Sequence, residues 1–331
     1  MTDPAAYAEG ILAGDRAAIG RAITILESTR PADRETGRRL LRRLAPYGGG
    51  AHRIGVSGVP GAGKSTLIDT LGALLLERGH RVAVLAVDPS SERTGGSILG
   101  DATRMSRLAG APGAYLRGSP SSGRLGGLGR ATGAAVAVVE AAGYDVVLVE
   151  TVGVGQSETA VAAVVDTFLL LGLVGAGDDL QGMKMGVLER ADLVVINKAD
   201  GDRQVAAAAA ARQLTAALRL LPRGGDRTEP AVLTCSARDG SGVPELADRL
   251  AAAYRADRAS GELTRRRRDQ AVEAMWAHAR AELLEDFHAE LTMSPVPAEL
   301  AADVVVGRLA EREAGDRLVE TYVRTVRGRP G

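Results

Sequence analysis

A chain of 331 residues, 45% of them hydrophobic, is long enough to bury a sizeable core in one large or two modest domains. Its 41 basic and 41 acidic residues cancel, so no global field draws it to nucleic acid or to an anionic membrane, and small-molecule or protein partners are favoured. The single cysteine, Cys235, excludes an internal disulfide framework; residues 1–20 lack a basic-then-apolar leader and no apolar run is long enough to span a bilayer, so a cytoplasmic location is expected.

From Asp3 to Ala45 the apolar residues fall at helical spacing, among them Ile11, Ile19, Ile23, Leu40 and Leu44, which predicts two or three helices. Pro46-Tyr47-Gly48-Gly49-Gly50 breaks that pattern and predicts a boundary, giving an N-terminal helical extension over residues 1–50. Short β-rich runs then recur at 53–57, 81–87, 145–151, 167–174, 193–197 and 231–235, with helical segments between them. Such alternation predicts an α/β fold over residues 51–255, a mostly parallel sheet covered by helices on both faces, with ligands at the carboxyl ends of its strands. Past Tyr254 the strand signals stop, and residues 256–331 read as a helical arm interrupted at Ser294-Pro295-Val296-Pro297. Its apolar stripe of Val272, Met275, Trp276, Leu283, Leu284 and Phe287 needs a partner, in the same chain or in another copy. The run Arg265-Arg266-Arg267-Arg268 opens a helix with acidic residues nearby and reads as a solvated or interface face rather than a nucleic-acid surface.

The first strand runs into Gly58-Val59-Pro60-Gly61-Ala62-Gly63-Lys64-Ser65, followed by Thr66 and a helical stretch. This is a phosphate-binding loop in its proper context: the glycines let backbone N–H groups converge on a polyphosphate, Lys64 reaches the β/γ oxygens, and the Ser65 hydroxyl can ligand Mg²⁺ at the positive end of the helix. At the end of a later strand stands Asn197-Lys198-Ala199-Asp200. The Asp200 carboxylate can accept from both N1–H and the exocyclic amine of guanine, whereas adenine would leave that charge unpaired, so the motif selects GTP over ATP. Lys198 can lay its stem along the base, Asn197 can tie this loop to the phosphate loop, and Ser236-Ala237-Arg238 can offer backbone N–H groups to the guanine O6. A GTPase is the expected activity.

Mg²⁺ takes oxygen ligands, and besides Ser65 the candidates are Asp88, Asp101 and Glu150, directly or through water. After Glu150 the segment Thr151-Val152-Gly153-Val154-Gly155-Gln156-Ser157-Glu158 is placed to sense the γ-phosphate through Gly153. Ras-like enzymes carry a water-orienting glutamine directly after that glycine. Here the position is Val154, so intrinsic hydrolysis should be slow; Gln156 and Lys184 are candidates to supply the missing group.

On these residues the chain resembles the MeaB/MMAA/ArgK group of GTPases, the G-protein chaperones of adenosylcobalamin-dependent acyl-CoA mutases. The resemblance also rests on Asp88-Pro89-Ser90-Ser91 through Gly100-Asp101 and on Gly175-Ala176-Gly177-Asp178-Asp179-Leu180-Gln181-Gly182-Met183-Lys184. It implies a SIMIBI-type P-loop fold, a C-terminal dimerisation arm making a homodimer, and an additional mobile loop over residues 175–186. In that loop Asp178 and Lys184 would couple GTP hydrolysis to the mutase. The implied function is GTP-gated loading and protection of the cobalamin cofactor in a mutase of the methylmalonyl-CoA type. A nickel-delivering maturation GTPase would share the nucleotide motifs but need metal ligands, and His52, His80, His278, His288 and Cys235 form no pair at ligand spacing. An ATP-dependent kinase of amino-acid transport is opposed by Asn197–Asp200, and a pure binding protein would not turn GTP over.

Overall fold

The computed structural model describes residues 3–28, 30–88, 105–120, 127–151, 157–173, 185–220 and 229–327. The chain divides into two compact units, Met1–Ala271 and Val272–Gly331.

The first unit opens on α1 (Pro4–Leu12), α2 (Arg16–Glu27) and α3 (Pro31–Leu44). Asp3 and Asp15 cap the first two, their carboxylates accepting from the N–H groups of Ala5 at 2.9 Å and Ala17 at 2.8 Å, which satisfies donors that a helix start leaves open. Seven strands follow: β1 (His52–Gly58), β2 (Val82–Asp88), β3 (Ala114–Pro120), β4 (Val146–Thr151), β5 (Thr167–Leu173), β6 (Leu193–Asn197) and β7 (Ala231–Thr234). They pair in parallel in the order β3-β2-β4-β1-β5-β6-β7. The connecting helices are α4 (Lys64–Glu77), α5 (Gly127–Ala141), α6 (Ser157–Ala162), α7 (Met185–Leu188), α8 (Gln204–Leu218) and α9 (Val243–Ser260).

Alternation along the strands sends side chains to two cores. Val82, Val84, Leu148 and Val195 pack with Leu67 and Leu71 of α4 and Leu246 of α9. Ala83, Leu85, Val149 and Ile196 pack on the other face with Val136 and Val139 of α5. Ile11, Ile19, Ile23, Leu40 and Leu44 belong to that second core, so the three leading helices share one hydrophobic cluster with the sheet across the glycine-rich joint at 48–50.

Expectation and structure agree on the α/β class and differ at one strand. The sequence predicts six strands and the structure has a seventh, β3, whose order Ala-Tyr-Leu-Arg-Gly-Ser-Pro carries glycine and proline and a weak strand signal. It sits at the sheet edge, pairing with β2 alone, where one side of the ladder needs no partner and such residues are tolerated.

The run at 265–268, expected as a solvated or interface face, divides between the two. It lies in α10 (Glu262–Thr292), where Arg265 pairs with Glu262 at 2.7 Å and Asp269 at 3.3 Å at the surface while two neighbours turn inward. Arg267 sets Nε and Nη2 on the Asp166 carboxylate at 2.7 and 2.6 Å, with further bonds to the carbonyls of Gly49 at 2.5 Å and Ala51 at 2.6 Å. Arg266 donates to the Asp166 carbonyl, and Gln270 Nε2 donates to the Val165 carbonyl at 2.7 Å. Asp166 is 2% exposed, a buried anion that needs this counterion. The clasp holds the opening turns of α10 within the first unit, which runs to Ala271.

Beside it His52 stacks on Tyr254 with ring centroids 4.4 Å apart and shares a 2.9 Å hydrogen bond between Nε2 and Thr167 Oγ1. Burial lowers its pKa to about 4, with Asp166 opposing and Arg267 and His80 assisting.

In the second unit α11 (Val296–Val305) and α12 (Glu311–Arg327) build a small cluster on Leu300, Leu309 and Ala314. Tyr322 donates to Asp286 at 2.8 Å, and its ring meets Phe287 edge-on. Phe287 is thus covered by its own chain, whereas Val272, Met275, Trp276, Leu283 and Leu284 are exposed. Among the described residues no helix is long and apolar enough to cross a membrane.

Candidate functional site

The carboxyl ends of the parallel strands form one edge, and the loop between β1 and α4 lies on it. Two glycines there are required by contact. A Cβ on Gly58, at φ 148°, would stand 2.5 Å from the Leu171 carbonyl oxygen, and one on Gly63, at φ 88°, would stand 2.6 Å from Asn197 Nδ2. A 3.1 Å bond from Ala62 N to the Val59 carbonyl closes the loop. Helix α4 starts at Lys64, with Gly63 as its N-cap, so its first N–H groups face the loop and make an anion-binding end.

Lys64 is buried, and Nζ donates to the carbonyls of Gly58 at 2.8 Å and Val59 at 3.2 Å. Burial lowers its pKa, while Glu150 and Glu158 act the other way. The adjacent Ser65 Oγ donates to Glu150 Oε1 at 2.7 Å. Strand register brings these together: Glu150 of β4 stands opposite Val56 of β1, two positions before the loop begins. A hydroxyl and a carboxylate, both oxygen donors, thus meet at the start of α4, and this donor set suits Mg²⁺. Asp88 ends β2 on the same edge; its side chain, together with Asp101, Gly153, Gln156, Asp178 and Lys184, lies outside the described residues.

Across the loop Asn197 ends β6, and its buried side chain joins three segments. Nδ2 donates to the Ala62 carbonyl at 2.8 Å; Oδ1 accepts from Ala237 N at 3.0 Å and from Cys235 Sγ at 3.5 Å. Burial pushes the Cys235 thiol up to about 12, so it packs as a neutral group behind the site. Lys198 follows at φ 61°, the one non-glycine with positive φ among the described residues. That left-handed conformation is uncommon and costs energy; it turns the chain between Asn197 and Asp200. Ala199 N donates to the Cys235 carbonyl at 3.0 Å, and Asp200 pairs with Arg203. Gly58 through Thr66, Glu150, Asn197 to Asp200, and Ser236, Ala237 and Arg238 therefore share one edge.

Sequence reasoning gave no role of their own to four residues around this edge, two of them, Thr151 and Glu158, named in the segment read as a γ-phosphate sensor. Thr70 of α4 donates to the Ala237 carbonyl at 2.7 Å and ties the loop at 236–238 to the phosphate-loop helix. Ser57, Thr151 and Glu158 form a second tie beneath the loop, with Ser57 Oγ donating to Glu158 Oε1 at 3.1 Å and Thr151 Oγ1 donating to Ser57 Oγ at 3.0 Å. These are contacts of ordinary residue types between elements distant in sequence; the one available signal is that Ser57 directly precedes Gly58.

A parallel sheet with this loop and an Asn-Lys-Ala-Asp turn at its carboxyl edge defines a GTPase of the P-loop class. The family model described as methylmalonyl Co-A mutase-associated GTPase MeaB matches residues 19–292, and the chain belongs to that family. A Mycobacterium tuberculosis protein named as a probable GTPase is 54% identical over 313 residues, covering 95% of this chain and 93% of its own. The mitochondrial methylmalonic aciduria type A homolog of Mus musculus is 43% identical over 323 residues, covering 95% of this chain and 78% of its own. A crystal structure described as a LAO/AO transport system kinase superposes with a TM-score of 0.75 at 38% identity, covering 96% of this chain and 97% of that one. The chain is thus a guanine-nucleotide-binding GTPase.

Proposed function

We propose that this GTPase is a chaperone that gates adenosylcobalamin loading and protection of an acyl-CoA mutase of the methylmalonyl-CoA type. The observation that carries the reading is the family match to mutase-associated GTPases over residues 19–292. In it, Gly58 to Thr66 cradle the phosphates, and Lys64 moves from the Gly58 and Val59 carbonyls to the β/γ oxygens. Asn197, Lys198 and Asp200 read guanine together with Ser236, Ala237 and Arg238. Ser65 and Glu150, with Asp88 and Asp101, would hold Mg²⁺, which when bound neutralises charge on the β- and γ-phosphates. Gly153 senses the γ-phosphate, and Gln156, Asp178 and Lys184 are the candidates for completing hydrolysis and coupling it to the mutase.

Two features fit a gate. The Lys64 ammonium already rests on loop carbonyls at 2.8 and 3.2 Å, so triphosphate has only to exchange one set of acceptors for another. A gate works only where GTP interacts differently with two loop states, and the position of Val154 leaves the water-orienting role to another group, which a mutase partner can bring into place. The exposed apolar residues Val272, Met275, Trp276, Leu283 and Leu284 support a homodimer through the C-terminal arm, with residues 1–50 and 51–255 as helical extension and GTPase domain.

The test is GTP hydrolysis by the purified protein alone and with adenosylcobalamin-dependent mutases, with ATP as control. Stimulation by one mutase identifies the client. Slow GTP turnover that no mutase changes rejects the chaperone reading and leaves the GTPase.

A further inference from the structure

Ser57 is the last residue before Gly58, and its hydroxyl touches Thr151 and Glu158, the two residues that flank positions 152–157. On one side Thr151, the last residue of β4, donates to Ser57 Oγ at 3.0 Å; on the other Ser57 Oγ donates to Glu158 Oε1, in the first turn of α6, at 3.1 Å. In this chain the serine proton points to the Glu158 carboxylate. Its lone pairs are then left for Thr151. All three side chains are buried, at 0%, 1% and 8% exposure, so water competes little and the two bonds hold more firmly than surface ones. β1 and β4 are direct neighbours, which places Ser57 and Thr151 side by side, whereas Glu158 stands on α6.

We propose that Ser57 is a positioning residue for GTP hydrolysis, whose hydroxyl staples the two flanks of the segment 152–157 to the base of the phosphate loop through Thr151 and Glu158. This rests on the reading of that segment as the γ-phosphate sensor. Both ends of the sensor are then referred to the residue that carries Gly58, so a shift of the phosphate loop and a shift of the sensor are one event. Such a staple acts on the placement of the attacking water more than on the affinity for nucleotide, since misplacement of reacting groups costs rate while the phosphate and base contacts remain.

The experiment compares Ser57→Ala, Glu158→Ala, Glu158→Gln and Gly153→Ala in the full-length protein, reading single-turnover hydrolysis of bound GTP, GDP affinity and thermal midpoint. S57A and E158A are expected to slow hydrolysis about tenfold with GDP affinity within about twofold, and E158Q, whose amide oxygen can accept the same bond, to recover most of the E158A loss. S57A at the wild-type rate overturns the proposal. So does a loss of rate matched by equal losses of GDP affinity and thermal midpoint, which marks a purely structural contact, and so does failure of E158Q to recover. G153A at the wild-type rate removes the sensor reading and the premise with it. A slow G153A beside a wild-type S57A overturns the staple alone.

Discussion

Asn197 and Ala62 lie 135 positions apart and are joined by a 2.8 Å hydrogen bond from side-chain amide to backbone carbonyl. Since the same side chain accepts from Ala237 N, one buried amide sets the distance between the loop at 58–65 and the two segments proposed to read guanine. Asn197→Ala leaves a buried carbonyl and a buried N–H without their partner, and the expected loss of stability is about 2–4 kcal/mol. GTP affinity should fall with it. Denaturant titration and nucleotide titration check both; an unchanged midpoint with unchanged affinity contradicts the role.

Gly63→Ala tests the same junction from the other side. Its Cβ would stand 2.6 Å from Asn197 Nδ2 at a φ of 88°, so the variant carries both a backbone penalty of about 1 kcal/mol and a clash with the amide that organises the site. We expect GTP affinity to fall about tenfold or more, a change of about 1.4 kcal/mol at least. Isothermal titration that finds wild-type affinity would show that the loop opens without cost.

Nucleotide choice separates the two halves of the site. Lys64→Ala should abolish triphosphate binding, because it removes the ammonium proposed to pass from the loop carbonyls to the phosphates. Asp200→Asn should weaken GTP and admit xanthine nucleotides, whose second carbonyl accepts from an amide where guanine offers an amine. Competition between GTP and XTP measures this, and D200N with GTP affinity intact would remove Asp200 from base recognition.

The pH dependence of stability carries a signature of His52. Its folded pKa is about 4 against 6.5 when unfolded, so between those values the unfolded chain binds a proton that the folded chain refuses. Stability from this group is complete above about pH 7 and is lost as pH falls through 6.5 toward 4, by about 2 kcal/mol at pH 5. In His52→Gln the difference between the unfolding free energies at pH 7 and pH 5 should shrink by about that amount. An unchanged difference would assign the acid sensitivity to other groups.

How much of this was legible follows from where each signal is local. The phosphate loop could be read because its glycines are forced by local geometry at Gly58 and Gly63, and Asn197 because it ends an apolar strand whose neighbours spell a base-reading turn. β3 was missed because an edge strand relaxes the residue preferences that announce a strand. The contacts of Thr70, Ser57, Thr151 and Glu158 were missed because each acts across the sheet or across a helix, on a partner that only register supplies. The partner of Arg267 was hidden for the same reason: its counterion Asp166 lies 101 positions away, while the acidic residues near it in sequence pair with Arg265 and Arg266.

The arginine clasp also bears on how such chains can be recombined. A gene joined to a different C-terminal arm just after Tyr254 would inherit Asp166, 2% exposed, with its counterion left behind on the discarded helix, and an orphaned buried charge of this kind costs about 3–5 kcal/mol. A junction beyond Ala271 carries Arg266, Arg267 and Gln270 along and costs nothing of the sort. A replacement arm is therefore best joined past the third turn of α10, and the opening turns of that helix belong physically with the sheet.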